Sequence, residues 1–317
     1  MATLVLSGIF GAAVRLRNSL YDTGALSARR LQGPVVSVGN LSVGGSGKTP
    51  FVILLGELLK ARGIPFNVLS RGYRRKTTGV VLVDPAGLPR HFGDEPLLIT
   101  RRLQVPVVLG EDRYQAGVFA EQHFGPRLHL LDDGFQHRQL ARDFDIVLVT
   151  PDDARDRLLP AGRLREPLSA LRRADVVVLA SGADPVKFPL AGKTVWRVRR
   201  GIVTRDVPPR PLAFCGIARP QNFFAQLRKA GVDPAAEVVF PDHHAYTEKD
   251  LRDLQFVAEQ NQAGGFLTTE KDAVNLGGYL ASLKPLVAVP VKMDLADSAR
   301  ALDYMLETLK TRGKPVS

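Results

Sequence analysis

Short runs of aliphatic and β-branched residues alternate along the chain with longer segments in which apolar residues recur every three or four positions. The short runs predict buried strands, and the longer segments predict amphipathic helices. Regular alternation of the two is typical of an α/β fold with a largely parallel sheet. In the first half the predicted strands are 34–38, 66–69, 80–83, 105–109, 128–131, 146–149 and 176–179, with helices at 51–62, 95–103, 113–124 and 167–172.

The pattern changes at residues 194–211, where valines alternate with arginines and two prolines follow. This composition predicts an extended linker. A second series then predicts strands at 212–215, 237–240, 266–268 and 286–291 and helices at 221–230, 249–260 and 298–311. We therefore expect a nucleotide-binding domain over 31–193, a linker over 194–211 and a smaller α/β domain over 212–317, preceded by an N-terminal helix within residues 1–30.

The N-terminal segment is apolar, because residues 1–14 include no charged side chain. It is too short to span a bilayer, which takes about 20 apolar residues. It also has no preceding basic region and no cleavage-site pattern, so we do not expect a signal peptide. Arg15 and Arg17 follow it. Such a helix can lie in the surface of an anionic membrane leaflet, or pack on the protein's own core, and the sequence leaves both open.

The strongest chemical motif is a glycine-rich loop between the first predicted strand and the first predicted helix. It consists of Ser42, Val43, Gly44, Gly45, Ser46, Gly47, Lys48 and Thr49. In this layout backbone N–H groups converge on a nucleotide phosphate, the lysine reaches the outer phosphates and the hydroxyl ligates Mg²⁺. Ser42 stands where the strict pattern has its first glycine. The loop predicts binding of a nucleoside triphosphate.

Composition narrows the class of partner. The 317 residues are 45% hydrophobic and 24% charged, with a formal net charge of +11. This describes a globular protein that binds nucleic acid, an anionic membrane surface or an anionic small substrate. No arginine-rich tail with interleaved aromatic residues is present, which argues against nucleic acid. The single cysteine, Cys215, excludes an internal disulfide framework and fits a reducing compartment.

Several carboxylates are placed to serve a phosphate-transfer reaction. Asp132 and Asp133 follow an apolar strand, where a nucleotide-bound Mg²⁺ needs a ligand, although an Asp-Gly turn explains the same residues. Adjacent strand residues point to opposite faces, so the two aspartates should not share one role unless the strand has turned. Asp94 and Glu95 open a helix, either as an N-cap with a favourable first turn or as a base for an attacking hydroxyl.

Basic and imidazole groups complete the candidate set. Asp242, His243 and His244 form a cluster without a further ligand at zinc spacing. A histidine held by a carboxylate assists proton transfer, and a solvated loop histidine is the alternative. Arg71 and Arg165 are candidates for phosphate contacts, since guanidinium presents a planar fork of donors.

Seven strings together resemble the tetraacyldisaccharide 4′-kinase family, the lipid A kinases of Gram-negative bacteria. They run in family order over about residues 15–276, and the family also carries Ser or Thr at the position of Ser42. The strings are VGNLSVGGSGKTP (38–50), LSRGY (69–73), GDEPLL (93–98), DDGFQHR (132–138), PAGRLREP (160–167), FPDHH (240–244) and TEKDAV (269–274).

The resemblance implies two α/β/α domains joined by a short β linker, a P-loop NTPase-like sandwich and a smaller second domain, with the active site between them. It implies transfer of the ATP γ-phosphate to the 4′-hydroxyl of an acylated glucosamine disaccharide 1-phosphate, giving lipid IVA, with Mg²⁺. The enzyme would act at the cytoplasmic leaflet of the inner membrane as a peripheral protein, with no nucleic acid as partner.

The resemblance also implies roles for individual residues. Lys48 and Thr49 would hold the phosphates and Mg²⁺, and Asp94 would be the catalytic base, paired with His243. Residues that would order the metal and nucleotide are Glu95, Asp132 and Asp133; residues that would line the site are Arg71, His137, Arg165 and Glu166. The alternative function is a P-loop ATPase that acts as a switch or assembly factor.

Overall fold

Alternating strands and helices appear in the computed structural model, which describes residues 2–314. The strands are β1 Val35–Asn40, β2 Phe66–Ser70, β3 Val81–Leu82, β4 Val107–Leu109, β5 Leu128–Asp132, β6 Phe144–Val149, β7 Val176–Ala180, β8 Thr194–Ile202, β9 Leu212–Cys215, β10 Ala236–Val239, β11 Phe266–Thr269, β12 Leu286–Val289 and β13 Val291–Leu295. The α-helices are α1 Ala2–Asp22, α2 Lys48–Ala61, α3 Pro89–Phe92, α4 Asp94–Leu103, α5 Arg113–Phe124, α6 Pro220–Lys229, α7 Glu248–Gln260, α8 Glu270–Leu276 and α9 Ser298–Thr311.

The larger sheet has nine strands in the order β13-β8-β7-β6-β1-β5-β2-β4-β3. Its strands run parallel except at the two edges, where β3 and β13 are antiparallel to their neighbours. Strand β1 lies centrally between β5 and β6, and Val38 is in register with Asp132. The carboxyl ends of β1, β2, β4 and β5 therefore meet at one edge, which is where ligands bind in open α/β sheets. The predicted largely parallel α/β fold is confirmed.

Helices cover both faces of the larger sheet because its central strands are buried throughout. On one face α2, α4 and α9 pack through residues such as Phe51, Leu97 and Met305. The other face is covered in part by α5 and by a 3-10 helix, Leu168–Arg173, where the sequence predicted a helix over 167–172.

The smaller sheet has four parallel strands in the order β10-β9-β11-β12. Helix α6 packs on one face through Phe223, Phe224 and Leu227. Helix α7 packs on the other face, where Leu251 and Leu254 meet aromatic residues of the core. Two layers of helix around a parallel sheet make this a second α/β/α unit.

The structure differs from the expected linker and from the expected extent of the second domain. Residues Thr194–Ile202 form β8 of the larger sheet, because Trp196 and Val198 turn inward and complete its core. The predicted strand at 286–291 is two strands, separated by Pro290, which has no N–H to continue a ladder. After Pro290 the chain returns to the larger sheet as β13 and α9. Within residues 2–314, the chain crosses between the two sheets only at residues 203–211 and at Pro290.

Helix α1 lies along the larger unit with an exposed apolar side. Leu4, Val5, Leu6, Ile9 and Leu16 are each more than half exposed. No helix in the described part of the chain is long and apolar enough to cross a membrane.

The opposite side of α1 is anchored by polar contacts. Ser7 Oγ donates to the carbonyl oxygen of Leu158 at 2.8 Å, and Asn18 Nδ2 donates to Glu166 Oε2 at 2.6 Å. One side of the N-terminal helix therefore packs on the protein, and the other presents apolar residues to solvent.

Candidate active site

A cavity of about 860 Å³ lies between the two units, at the carboxyl edge of the larger sheet. Residues from both units line it, and its far wall includes Arg17 and Tyr21 of α1. The predicted site residues that line this cavity are Ser42, Val43, Gly44, Gly45, Ser46, Gly47, Lys48, Thr49, Arg71, Asp94, Glu95, Asp132, Asp133, His137, Arg165 and His243.

The glycine-rich loop adopts the backbone that a phosphate cradle needs. Gly44 and Gly47 have φ of 80° and 86°, in the left-handed region that other residues avoid. The loop is fixed from behind, because Asn40 Nδ2 donates to the carbonyl oxygen of Ser42 at 2.7 Å. Helix α2 begins directly after the loop, at Lys48. Its first N–H groups therefore face the cavity together with the positive end of the helix dipole.

Lys48 and Arg165 share one carboxylate in this structure. The Nζ atom of Lys48 lies 3.6 Å from Asp133 Oδ1, and Arg165 holds both oxygens of Asp133 at 2.8 and 2.9 Å. Both cations also donate to Asn40 Oδ1. Desolvation in the cleft would raise the pKa of Asp133, but the charges of Lys48 and Arg165 outweigh it and hold that pKa well below its usual range.

Asp132 has the opposite electrostatic situation, although it is adjacent. Asp133 has φ of 51°, so the strand has already turned at this residue. Asp132 accepts a hydrogen bond from Ser70 Oγ at 3.0 Å. Burial, together with the neighbouring charges of Glu95 and Asp133, raises the pKa of Asp132 to about 7. Burial also raises the pKa of Glu95. Burial is the largest cause of both shifts, so this corner disfavours the ionised forms of Asp132 and Glu95.

The oxygen ligands near Asp132 suit a hard cation. Carboxylates and a threonine hydroxyl are ligands that Mg²⁺ accepts, and Mg²⁺ usually binds through one or two carboxylates together with substrate phosphates. Within residues 2–314, no group of three or more His, Cys, Asp or Glu side chains is arranged to hold a metal alone. The site therefore fits a cation that arrives with a nucleotide, and it does not form a closed protein cage.

Asp94 and His243 meet across the cavity from different units. The Nδ1 atom of His243 lies 2.8 and 3.0 Å from the carboxylate oxygens of Asp94. Burial alone would raise the pKa of Asp94, but the hydrogen bond with His243 and the charge of Lys271 lower it below its ordinary value. The same pairing raises the pKa of His243 against the effect of burial. The geometry holds one ionised carboxylate at the start of α4.

Asp94 is not the N-cap of α4, which was the alternative role expected for it. The N-cap position of α4 is Gly93, and Asp94 is the first helical residue. Its Oδ1 accepts the backbone N–H of Glu95 at 2.9 Å, which leaves the remaining acceptor capacity to groups of the other unit.

Two residues beside Asp94 were not singled out from the sequence. Lys271 Nζ lies 3.7 Å from Asp94 Oδ2, 2.9 Å from Asp242 Oδ1 and 3.3 Å from His243 Nε2. Asn275 Nδ2 donates to Asp94 Oδ2 at 3.2 Å. The two residues are one turn apart on α8, and this spacing is the only signal in the sequence that places them on one face.

The two histidines of the FPDHH string have different environments. His244 Nε2 lies 3.1 Å from Asp250 Oδ2, and its ring stacks on Phe240 with centroids 4.7 Å apart. His244 is therefore part of the packing of the smaller unit, and only His243 reaches the cavity.

A basic region lies beyond the carboxylates. Arg71, Arg113 and His137 line the cavity there, and Arg113 was not singled out from the sequence. Burial and the charge of Arg71 lower the pKa of Arg113 to about 10. Burial and Arg113 lower the pKa of His137 to about 4, so its ring is neutral at physiological pH. This wall is suited to an anionic group of a substrate.

The expectation that Glu166 lines the site is wrong. Its side chain is fully buried away from the cavity, where it pairs with Arg173 at 2.9 Å and accepts from Asn18 of α1. Arg165 faces the cavity, whereas the adjacent Glu166 faces α1. Glu166 holds the N-terminal helix on the larger unit.

Comparisons with known proteins agree with this arrangement. A family model described as Tetraacyldisaccharide-1-P 4'-kinase (LpxK) matches residues 1–310. A tetraacyldisaccharide 4'-kinase from Koribacter versatilis is 50% identical over 317 residues, covering 97% of this chain and 98% of the relative. One from Aquifex aeolicus is 40% identical over 294 residues, covering 87% and 90%.

The fold of this chain also matches that of a solved structure. The crystal structure of the "apo" form of LpxK from Aquifex aeolicus in complex with ATP matches with a TM-score of 0.80 at 36% identity, over 96% of this chain and 98% of that one. The P-loop kinase fold extends over both units of the chain. From the family match, the identities over nearly the full length and the shared fold, we conclude that this chain belongs to the tetraacyldisaccharide-1-phosphate 4′-kinase family.

Proposed function

We propose that this chain transfers the γ-phosphate of ATP to the 4′-hydroxyl of a tetraacylated glucosamine disaccharide 1-phosphate and releases ADP and lipid IVA. One observation carries the proposal beyond nucleotide binding. The Asp94 carboxylate, held at 2.8 Å by His243 from the other unit, faces the same cavity as the Lys48 loop. A carboxylate kept ionised beside a phosphate cradle is what an acceptor hydroxyl needs.

In this mechanism the acceptor oxygen forms a bond to the γ-phosphorus while the bond from that phosphorus to the β–γ bridging oxygen breaks. Asp94 accepts the proton of the hydroxyl, and His243 and Lys271 stabilise the carboxylate before that transfer. The transition state is loose, so positioning and charge neutralisation supply most of the catalysis. The lowered pKa of Asp94 keeps the base ionised and makes it a weak one, which suits a step that needs little help from proton removal.

The nucleotide would lie in the Ser42–Thr49 loop. Lys48 would exchange its contact with Asp133 for the outer phosphates, since a triphosphate presents more negative charge than one carboxylate. Arg165 would keep Asp133 in place during this exchange, because its fork binds both oxygens.

Mg²⁺ would be held by Thr49, Glu95, Asp132 and Asp133 together with the phosphates. The support is that the carboxyl groups of Asp132 and Glu95 are buried in this corner, where desolvation raises the pKa of both and a bound cation would favour their ionised forms. When bound, the cation neutralises charge on the β- and γ-phosphates. Arg71, His137 and Arg165 would then contact anionic groups of the substrates.

Closure of the two units would assemble the site. We propose that residues 31–202 and 291–314 act as the nucleotide-binding unit and that 212–289 act as the second unit, which brings His243 to Asp94. In the described part of the chain only residues 203–211 and Pro290 cross between the sheets, so a small change in a few dihedrals can move one unit against the other.

The acceptor would be reached from the cytoplasmic leaflet of the inner membrane. The exposed Leu4, Val5, Leu6 and Ile9 of α1 and the following Arg15 have the composition of a helix that lies in an anionic interface. Removal of residues 1–14 should release the protein from vesicles that contain anionic lipid, measured by flotation. Unchanged flotation would assign the contact to another surface.

The deciding experiment is a product assay. Purified protein, Mg-ATP and the acylated disaccharide 1-phosphate are incubated, and the lipid fraction is analysed by mass spectrometry for one added phosphate. We expect the 4′-phosphorylated product with the wild-type chain and none with Lys48→Met. ATP hydrolysis without a phosphorylated lipid would contradict the kinase proposal and favour a switch ATPase.

A further inference from the structure

The segment between β9 and α6 lies over the phosphate loop. A Cβ atom placed on Gly44 would stand 3.8 Å from the Cβ of Ala218. A Cβ placed on Gly45 would stand 3.3–3.4 Å from the side chain of Arg219, at Cγ, Cδ and Nε. The smaller unit therefore places an arginine directly across the loop that cradles phosphates.

The guanidinium of Arg219 is only partly satisfied by the protein. Its Nη1 lies 3.0 Å from Oδ2 of Asp152, a side chain that is 56% exposed and also pairs with Arg163 at 3.5 Å. Its Nη2 is buried and has no hydrogen-bond partner among the described residues. Exposed ion pairs contribute little, whereas a buried donor without an acceptor is costly. Arg219 thus has a weak partner outside the cavity and a spare donor.

The charges around Arg219 indicate what the spare donor would bind. Arg219 and Arg200 line the cavity on the same side as Gly44 and Gly45, and no ion pair of Arg200 is found within residues 2–314. Among the carboxylates of the cavity, Asp133 is engaged elsewhere, since it pairs with Lys48 and Arg165. An anion with several oxygens at the loop would complete the coordination of Arg219, and the planar fork of guanidinium matches phosphate oxygens.

We propose that Arg219 is an arginine finger which the smaller unit supplies in cis to the terminal phosphates of ATP. It neutralises the negative charge that develops on the β–γ bridging oxygen as the bond to the γ-phosphorus breaks and the bond from the acceptor oxygen forms. The assignment rests on the proposed kinase function and adds a residue to it. Asp152 is the partner that Arg219 leaves when the triphosphate is bound.

With this assignment, the smaller unit contacts the reacting groups at two points. His243 of the smaller unit meets Asp94 on the acceptor side, and Arg219 of the same unit meets the donor phosphates. A γ-phosphate bound between Arg219 and Lys48 draws the units together, so ATP should favour closure more than ADP does.

The test compares Arg219→Met and Arg219→Lys with a matched control, Arg228→Met. Arg228 lies on α6 and forms a surface ion pair with Glu237, away from the cavity. Affinities for ADP and for a non-hydrolysable ATP analogue are measured by calorimetry without lipid, and kcat is measured with lipid. Thermal unfolding confirms that each variant is folded.

We expect Arg219→Met to lower kcat by about 10³-fold or more, the range reported for arginine fingers. It should also reduce the preference for the ATP analogue over ADP by about tenfold, a change that a purely structural role would not produce. Arg219→Lys should recover part of both losses, because it restores charge without the fork. Arg228→Met should match the wild type.

Two results would overturn the assignment. One is an equal loss of affinity for ADP and for the analogue, which would mean that Arg219 contacts a part of the nucleotide that both share. The other is a loss with Asp152→Asn as large as with Arg219→Met, which would mean that the ion pair itself is what matters. If the wild type forms no phosphorylated lipid while Arg219→Met still loses its preference for the analogue, the kinase proposal fails and the phosphate contact stands.

Discussion

Asp132 and Asp94 line the same cavity and are similarly buried, with 4% and 5% of their surface exposed. Their pKa values nevertheless shift in opposite directions. Burial and two neighbouring carboxylates raise the pKa of Asp132 to about 7. For Asp94, the effect of burial is outweighed by His243 and Lys271, and the pKa is lowered. Partner charge, and not depth, therefore decides which carboxylate is ionised in the free protein.

The surroundings of Asp132 and Asp94 therefore differ in how the charge of the carboxylate is balanced. In the corner around Asp132, burial and neighbouring carboxylates disfavour the ionised form, and a bound cation would offset this effect. The corner around Asp94 is balanced by the protein itself, through His243, Lys271 and Asn275. The first arrangement suits binding that depends on a ligand, and the second suits a group that must be in one protonation state before the substrate arrives.

The strongest test of this comparison is Asp94→Asn. We expect kcat to fall by about 10²–10⁴-fold, because the acceptor hydroxyl loses its base, while the affinity for an ATP analogue stays within about threefold. Asp112→Asn is the matched control, since Asp112 is the N-cap of α5 and asparagine caps equally well. Near-normal turnover together with a loss of about 1 kcal/mol in unfolding free energy would restore a purely structural role for Asp94.

Asp132→Asn should raise the stability of the free protein, whereas Asp94→Asn should lower it. A carboxyl whose folded pKa is raised to about 7 binds its proton more tightly when folded, so the wild type loses stability as the pH rises from about 4 to 7. The variant lacks this loss, so at pH 8 in the presence of a chelator its free energy of unfolding should exceed that of the wild type by on the order of a few kcal/mol. Its unfolding temperature should be correspondingly higher.

The ionisation of Asp94 affects stability with the opposite pH dependence. Comparing Asp94→Asn with Asp132→Asn therefore tests the difference between the two aspartates directly. Its lowered pKa gives stability that is present above the unfolded pKa and is lost as the pH falls through the folded value. Asp94→Asn should therefore destabilise the protein at pH 7. If both variants shift the unfolding temperature in the same direction at pH 8, the charge comparison is wrong.

A third variant tests the correction at Glu166. Breaking its buried pair with Arg173 by Glu166→Gln should lower the free energy of unfolding by about 3 kcal/mol, measured by chemical denaturation. The control is Glu259→Gln on the exposed face of α7. Unchanged stability with a large loss of turnover would return Glu166 to the list of residues that contact substrate.

The smallest expected effect is that of Lys271→Met. Loss of its charge raises the pKa of Asp94, so the acidic limb of kcat/KM against pH should move upward by about one pH unit. Lys271→Arg should restore the wild-type limb, and Lys249→Met, at an exposed position of α7, should leave it unchanged. A limb that stays in place in Lys271→Met would show that Lys271 acts only through packing.

Features that depend on contiguous residues were predictable. The phosphate loop needs only a strand, three glycines and the start of a helix, all within residues 35–61, so its order in the chain is also its order in space. The strands of the central sheet were predicted within a few residues because their apolar runs are buried on both faces. The division at 194–211 was not predictable, because alternating valine and arginine describes a half-buried strand as well as a linker.

The sequence by itself therefore determined the order of elements, the phosphate loop and, through the later strings, the family. Only the tertiary structure decided which charges meet. Asp94 and His243 are 149 positions apart, and Lys271 and Arg219 reach the cavity from different elements of the smaller unit. A pKa or an ion pair depends on distances between such residues, and the spacing along the chain does not contain those distances. The opposite pKa shifts of Asp132 and Asp94 are therefore a property of the fold.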